Sequence, residues 1–186
     1  KNGKELCELL KQSALLDCKT AILGAGTNIL APDEGISGLV ICLKECMDQL
    51  EQVDDTHIRV GAGVSMARAA AFAANCGLSG LEFAHGIPGS VGGGVYMNAG
   101  AYDGEMANVV TAVRTVDSQG NVKVLSKDEM CFGYRKTALQ GSDLIVTAVT
   151  VSMPKGEVSE ILAKMADFIQ RRISKQPLEL PSAGSM

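Results

Sequence analysis

The chain has 186 residues, of which 46% are hydrophobic and 20% charged, an ordinary globular composition that excludes an intrinsically disordered protein. The formal net charge is -4 and no stripe of lysine or arginine is present, which argues against a nucleic-acid partner. The longest apolar stretch, 144–153, is too short and too rich in threonine and serine to span a bilayer. We therefore expect no membrane partner either.

The predicted elements mix helices with hairpin-linked strands. In chain order, periodicity and turn residues predict a helix at 5–12, strands at 20–23, 39–43 and 57–60, a helix at 64–76, strands at 109–116, 122–125 and 144–152, and a helix at 158–172. Gly77 stands where a left-handed helix cap is expected, and the turn at 117–121 predicts a hairpin. The segment 86–104 shows no usable period. Since helices and strands do not strictly alternate, we predict an α+β fold.

A first glycine loop directly follows the buried strand at 20–23. It consists of Gly24, Ala25, Gly26, Thr27 and Asn28. Its backbone N–H groups can converge on an anion, as phosphate-binding loops do. It is not a Rossmann fingerprint, because Ile29 replaces the third glycine and no helix plainly follows, and it lacks the lysine of a P-loop. By itself, an ordinary tight turn explains this segment equally well.

A second glycine loop is more informative, because small residues alternate with apolar ones. The candidate cofactor-binding residues here are Gly86, Ile87, Pro88, Gly89, Ser90, Gly92 and Gly93, followed by Asn98, Gly100 and Ala101. The interleaved apolar side chains argue against a loose surface loop. Two separate glycine loops on one α+β body suit a dinucleotide better than a single phosphate.

The cysteines and histidines offer no metal site. Six cysteines occur without a CxxC pair, so we expect buried, reduced thiols in a cytoplasmic protein and no metal. His57 begins a strand and is interpreted as structural. His85 is interpreted as an ordinary loop histidine.

The run 81–93, followed by 98–102, resembles the UDP-N-acetylenolpyruvoylglucosamine reductase family of bacterial cell-wall synthesis. Three more matches keep the family's order, namely the loop 24–30, the motif Phe132-Gly133-Tyr134-Arg135, and the run 181–185. The resemblance implies the two-part FAD-binding domain of the vanillyl-alcohol-oxidase/PCMH-type flavoproteins. The short spacer between Tyr134 and Ser185 resembles the shorter of the family's two subtypes.

The resemblance also implies a reaction. The expected cofactors are non-covalently bound FAD and NADPH as the reductant, and the expected partner is a UDP-sugar enolpyruvyl ether. Arg135 is the implied cation for a carboxylate or enolate, and Ser185 the implied proton donor. Without the resemblance, Arg135 would be interpreted as a solvated surface charge and Ser185 as a loop serine.

The implied organisation has three parts. We expect a partial first FAD-binding subdomain at 1–45, a second at 46–154, and at 155–186 a helix and loop that lead to a substrate domain, which is absent. A front strand and a late catalytic glutamate of the family have no counterpart here, so we expect this polypeptide to bind flavin weakly and show no turnover. Two alternatives stay open, namely another FAD-dependent oxidoreductase of the same superfamily and a non-catalytic nucleotide-binding module.

Overall fold

The structure, a computed structural model, describes residues 3–44 and 46–176. Its strands are β1 (Thr20–Leu23), β2 (Leu39–Cys42), β3 (Leu50–Gln52), β4 (His57–Gly61), β5 (Gly100–Ala101), β6 (Gly104–Glu105), β7 (Val110–Val116), β8 (Val122–Ser126) and β9 (Ile145–Ser152). Its helices are α1 (Gly3–Leu15), α2 (Met66–Asn75), α3 (Val91–Tyr96), α4 (Met106–Val109) and α5 (Val158–Lys175), with a 3-10 turn at Glu82–Ala84. The predicted α+β class is confirmed.

The main body is built on a five-stranded sheet in the order β3-β4-β9-β7-β8, in which every neighbouring pair is antiparallel. Helix α3 packs on β4 and β9, and α2 packs on α3, α5 and the 3-10 turn. Apolar side chains from these elements form one continuous buried cluster. Its burial supplies most of the driving force for folding the main body.

A smaller layer lies at one side of the main body. Strands β1 and β2 form a two-stranded parallel sheet, with Leu23 opposite Cys42 in the register. Leu6 and Leu10 of α1 pack in the same buried cluster as residues of β2 and the ends of β7 and β9. Strand β1 runs directly into the first glycine loop, so this layer positions that loop beside the main sheet.

The predicted turns are confirmed. Gly77 ends α2 with a φ of +67°, the left-handed conformation that glycine adopts at low cost. The hairpin between β7 and β8 is closed by Asp117, whose Oδ1 accepts hydrogen bonds from the backbone N–H groups of Gln119 and Asn121 at 2.9 and 2.8 Å. A short polar side chain therefore fixes the turn locally.

The segment 86–104, for which the sequence shows no usable period, contains α3, β5 and the first residue of β6. Ser90 begins the helix, and its Oγ accepts a hydrogen bond from the N–H of Gly93 at 3.4 Å. A Cβ on Gly92 would lie 2.9 Å from the Cβ of Ala62, and a Cβ on Gly94 would lie 2.7 Å from Sδ of Met66. These two glycines therefore serve helix packing.

The expectation of buried thiols is also wrong. Cys18, Cys42 and Cys131 are exposed, and the other three cysteines are partly exposed. Most of them lie on or beside α1 and the β1–β2 sheet, a layer too thin to enclose them. In 3–44 and 46–176 no cluster of three or more His, Cys, Asp or Glu side chains suited to a metal ion is present. Nor do these residues include a helix long and apolar enough to cross a membrane.

Candidate functional site

A cleft of about 1470 Å³ lies between the small layer and the N-terminal side of α3. It brings together residues far apart in the sequence. Of the residues predicted to bind a cofactor, the cleft is lined by Gly24, Ala25, Gly26, Thr27, Asn28, Ile87, Pro88, Gly89, Ser90, Gly92, Gly93, Gly100 and Ala101. Gly86 and Asn98 are not among its lining residues.

The two glycine loops touch each other along one wall of the cleft. Thr27 Oγ1 donates a hydrogen bond to the carbonyl of Pro88 at 3.2 Å. A Cβ on Gly24 would lie 2.7 Å from Ser90 Oγ, and a Cβ on Gly89, whose φ is +134°, would lie 3.1 Å from Thr27 Oγ1. Glycine at these positions leaves room for the hydroxyl groups of Ser90 and Thr27, so the two loops lie close together.

This wall also carries backbone N–H groups that have no partner in the part of the chain that the structure describes. Among the described residues, no acceptor is found for the backbone N–H groups of residues 25–28 or of Gly89. A segment of unpaired N–H groups with little side-chain bulk is suited to an anion such as a diphosphate. The size of the cleft and these donors are therefore suited to a dinucleotide cofactor.

Arg135 reaches the same cleft from a different part of the chain. It lies in the turn 133–136 with a φ of +53°, and its guanidinium carbon lies 5.6 Å from the ring centroid of Tyr134. Exposed and positively charged, it can meet an anionic group in the cleft. Ser185, the other predicted catalytic residue, lies outside the described residues.

Helix α5 contacts the second glycine loop and the hairpin that follows α3, and the sequence did not predict these contacts. Arg172 Nη1 donates a hydrogen bond to the carbonyl of Gly86, and Phe168 stacks on Tyr102 with ring centroids 4.5 Å apart. Arg172 and Gln176 also line the cleft. Two arginines at a helix end are typical of dipole complementation. Nothing in that pattern indicates a contact 86 residues away.

The buried carboxyl group of Glu82 connects α5 to the 3-10 turn before this loop. It is 3% exposed, and it accepts hydrogen bonds from Ser79 Oγ at 2.7 Å and from the N–H of Gly80 at 2.9 Å. Lys164 Nζ of α5 lies 3.6 Å from Oε2 of Glu82. Burial raises the pKa of this carboxyl, but these hydrogen bonds and the lysine charge outweigh it, so the pKa lies below its ordinary value of 4.5.

Asn98 lies behind the cleft wall, and the structure does not bring it to the predicted cofactor site. Its side-chain amide donates hydrogen bonds to Glu105 Oε2 and to the carbonyl of Gly133, both at 3.0 Å. Its Oδ1 accepts one from the N–H of Ala107 at 2.9 Å. All three bonds are to protein groups, so this side chain organises neighbouring segments.

The chain is similar to an FAD-binding family model and to several proteins that share one name. The FAD binding domain family model matches residues 1–126. The chain is 44% identical over 165 residues to UDP-N-acetylenolpyruvoylglucosamine reductase of Limosilactobacillus fermentum, covering 89% of this chain and 54% of that protein. It is 42% identical over 184 residues to the enzyme of the same name from Clostridium perfringens, covering 99% and 60%. The chain thus spans somewhat more than half the length of these relatives.

Solved structures with a similar fold include an enzyme of the same family as these relatives. UDP-N-acetylenolpyruvylglucosamine reductase from Thermus caldophilus superposes with a TM-score of 0.78 at 36% identity, over 96% of this chain and 63% of that one. 6-Hydroxy-D-nicotine oxidase from Arthrobacter nicotinovorans, at 19% identity and a TM-score of 0.62 over 83% and 35%, shares the fold alone. The chain belongs to the FAD binding domain family, and within it resembles the flavin-binding region of the UDP-N-acetylenolpyruvoylglucosamine reductases.

Proposed function

We propose that the complete gene product uses FAD and NADPH to reduce UDP-N-acetylglucosamine enolpyruvate to UDP-N-acetylmuramate, a step of peptidoglycan precursor synthesis in the cytoplasm. The observation that carries the proposal is the cleft. It is lined by the two glycine loops, whose N–H groups at 25–28 and Gly89 have no partner among the described residues, and by Arg135. The names of the relatives support the substrate and the reaction.

In this proposal the cofactor is held without a covalent bond. The N–H groups of 25–28 and of Gly89 bind its diphosphate, and the small residues Gly92, Gly93, Gly100 and Ala101 leave space for its rings. Bound FAD supplies hydride transfer from NADPH to the enolpyruvyl double bond. The protein supplies binding, orientation and the charges that this transfer requires.

Arg135 and Ser185 have separate roles in the second half of the reaction. Hydride addition to the alkene leaves negative charge on the carbon next to the carboxylate, and a fixed cation lowers the energy of that state. The Arg135 guanidinium is a cation that can donate two hydrogen bonds to the carboxylate. Ser185 then donates the proton that completes the reduction.

We also propose that the chain is divided as the sequence predicts, with a first flavin-binding part at 1–45, a second at 46–154 and a connecting part at 155–186. The separate small layer of α1, β1 and β2 supports the first boundary. Helix α5, which contacts the second glycine loop and the hairpin after α3, supports a connecting role for the last part.

The proposed mechanism is tested by stopped-flow measurement of both half-reactions in the complete gene product. Ser185→Ala and Arg135→Ala should leave reduction of the flavin by NADPH nearly unchanged. Both should slow reoxidation by the UDP-sugar about 100-fold or more, because proton donation and charge stabilisation belong only to that half. Arg68→Ala, which removes an exposed arginine of α2 outside the cleft, is the matched control.

Two results would contradict the proposal. A Ser185→Ala protein that is reoxidised at the parent rate would remove the serine from the mechanism. NADPH-driven turnover that does not depend on the UDP-sugar would favour another oxidoreductase of the same superfamily.

A further inference from the structure

We infer that Asn98 and Gln140 are positioning residues that hold the Arg135 turn, residues 133–136, against the cleft. The inference rests on the role proposed above for Arg135. Neither residue touches the cleft itself, since the described lining residues include Arg135 but neither of these two. Each donates a hydrogen bond from its side-chain amide to a carbonyl of the turn.

The Arg135 turn needs such support because its backbone is strained. The N–H of Lys136 donates to the carbonyl of Gly133 at 3.1 Å, which places Arg135 at the third position of a tight turn with a φ of +53°. Turns with positive φ at this position favour glycine, and another residue there costs about 1–2 kcal/mol. Tyr134 is 89% exposed and provides no anchor. Strain of this kind persists where neighbouring bonds hold the conformation.

Asn98 fixes the beginning of the turn. It follows the C-terminus of α3, is 2% exposed, and itself has a φ of +43°. Its amide nitrogen bonds to the carbonyl of Gly133 and to Glu105, while its oxygen accepts from Ala107. Because all three bonds are made in a buried position, the side chain has one orientation, and it ties the turn to the end of α3.

Gln140 fixes the strained residue itself. Its Nε2 donates to the carbonyl of Arg135 at 3.0 Å and lies 3.4 Å from the carbonyl of Tyr96. Thr137 Oγ1 also donates to Tyr96, at 2.9 Å. The turn is thus bonded to the last residue of α3, the helix that presents Gly92 and Gly93 to the cleft. Arg135 is thereby positioned relative to the cofactor wall.

The first test is a double-mutant cycle in the complete gene product. Gln140→Met keeps the side-chain length but removes both N–H donors, and it should slow substrate-dependent reoxidation roughly 10-fold, the order expected for a small misplacement of a reacting group. In the Arg135→Ala background the same change should have no further effect, because Gln140 acts through Arg135. Gln52→Met, an exposed glutamine of β3, is the matched control. An equal loss in both backgrounds would overturn the inference.

The second test needs no activity. Hydrogen exchange of the backbone N–H groups of Gly133 and Lys136 should accelerate several-fold in Gln140→Met and more in Asn98→Asp, which loses the amide donor. Unchanged exchange in folded Gln140→Met would show that the amide does not hold the turn. If Arg135→Ala does not slow reoxidation, the proposed role of Arg135 fails, and hydrogen exchange still decides separately whether these residues hold the turn.

Discussion

Gly26 is the residue at which the first glycine loop depends most directly on the absence of a side chain. Its φ is +72°, and its N–H has no acceptor among the residues that the structure describes. We expect Gly26→Ala to lower FAD affinity at least 10-fold, because a Cβ strains the loop and moves donors away from the diphosphate. Titration of the apoprotein with FAD, followed by flavin fluorescence, measures the effect.

Gly35 provides the control for this substitution. It has a φ of +78°, a Cβ there would meet no atom within 4 Å, and it is not a lining residue of the cleft. Gly35→Ala should therefore cost about the same 1 kcal/mol of folding free energy as Gly26→Ala and leave FAD affinity unchanged. Equal FAD affinities for both variants would show that the first loop is not part of the cofactor site.

At Arg135, stability and function should respond in opposite directions. Arg135→Gly relieves the strain of a positive φ, so the free energy of unfolding should rise by about 0.5–1 kcal/mol while reoxidation by the UDP-sugar is lost. Urea unfolding gives the first quantity, and stopped-flow absorbance gives the second. A variant that is both less stable and fully active would contradict the account of this residue.

Within helix α3, we expect substitutions at two neighbouring glycines to have different effects, one on packing and the other on ligand binding. A Cβ on Gly93 would make only an ordinary 3.5 Å contact with Ser90 Oγ, but it would stand on the cleft wall. Gly93→Ala should therefore keep or raise stability through helix propensity and still weaken FAD binding. Gly92→Ala should lose about 1–3 kcal/mol, because its Cβ would collide with Ala62. Thermal unfolding combined with FAD titration distinguishes these outcomes, and a Gly93→Ala protein that binds FAD normally would contradict the placement of α3.

The contact between α5 and the 3-10 turn should depend on pH through Glu82. Because the pKa of this carboxyl is lowered in the folded protein, its contribution to stability is present above the ordinary pKa of 4.5 and is lost as the pH falls through the lowered value. Glu82→Gln should cost about 1–3 kcal/mol at pH 7, and the difference from the parent should shrink below pH 4.5. Urea unfolding from pH 3 to pH 7 tests this.

The control for Glu82 is Glu51→Gln. Glu51 forms an exposed ion pair with Arg59, with Nη1 and Oε2 2.9 Å apart, and such pairs contribute less than about 1 kcal/mol. A Glu82→Gln difference that is constant across the pH range would show that the carboxyl charge is not what stabilises the 3-10 turn.

Local chemistry predicted the elements that have strong local signals. The hairpin between β7 and β8 followed from its turn residues, and the cap at Gly77 from glycine's access to positive φ. Helix α3 was missed because its three glycines have poor helix propensity, and the signal available was Ser90 as an N-cap. Asn98 is hydrogen-bonded to Gly133, and Arg172 to Gly86. Because the partners in each bond are far apart in the sequence, local sequence patterns do not predict these contacts.

At the scale of the whole molecule, the cleft lies between the small layer of α1, β1 and β2 and the larger main body. The first glycine loop is held by β1, which pairs only with β2 among the described residues, whereas the second loop is packed on the main sheet and α5. A two-stranded sheet is marginally stable by itself. That the 186-residue chain binds flavin weakly stays a prediction, and titration of this chain with FAD, which gives its dissociation constant, tests it.

We propose that the cleft between the two glycine loops holds FAD without a covalent bond, and the flavin content of the purified complete gene product tests this most directly. We predict absorbance bands at about 370 and 450 nm and one FAD per chain released by acid denaturation, with that content lost in Gly26→Ala and kept in Gly35→Ala. A folded protein that is colourless and binds no added FAD would contradict the claim.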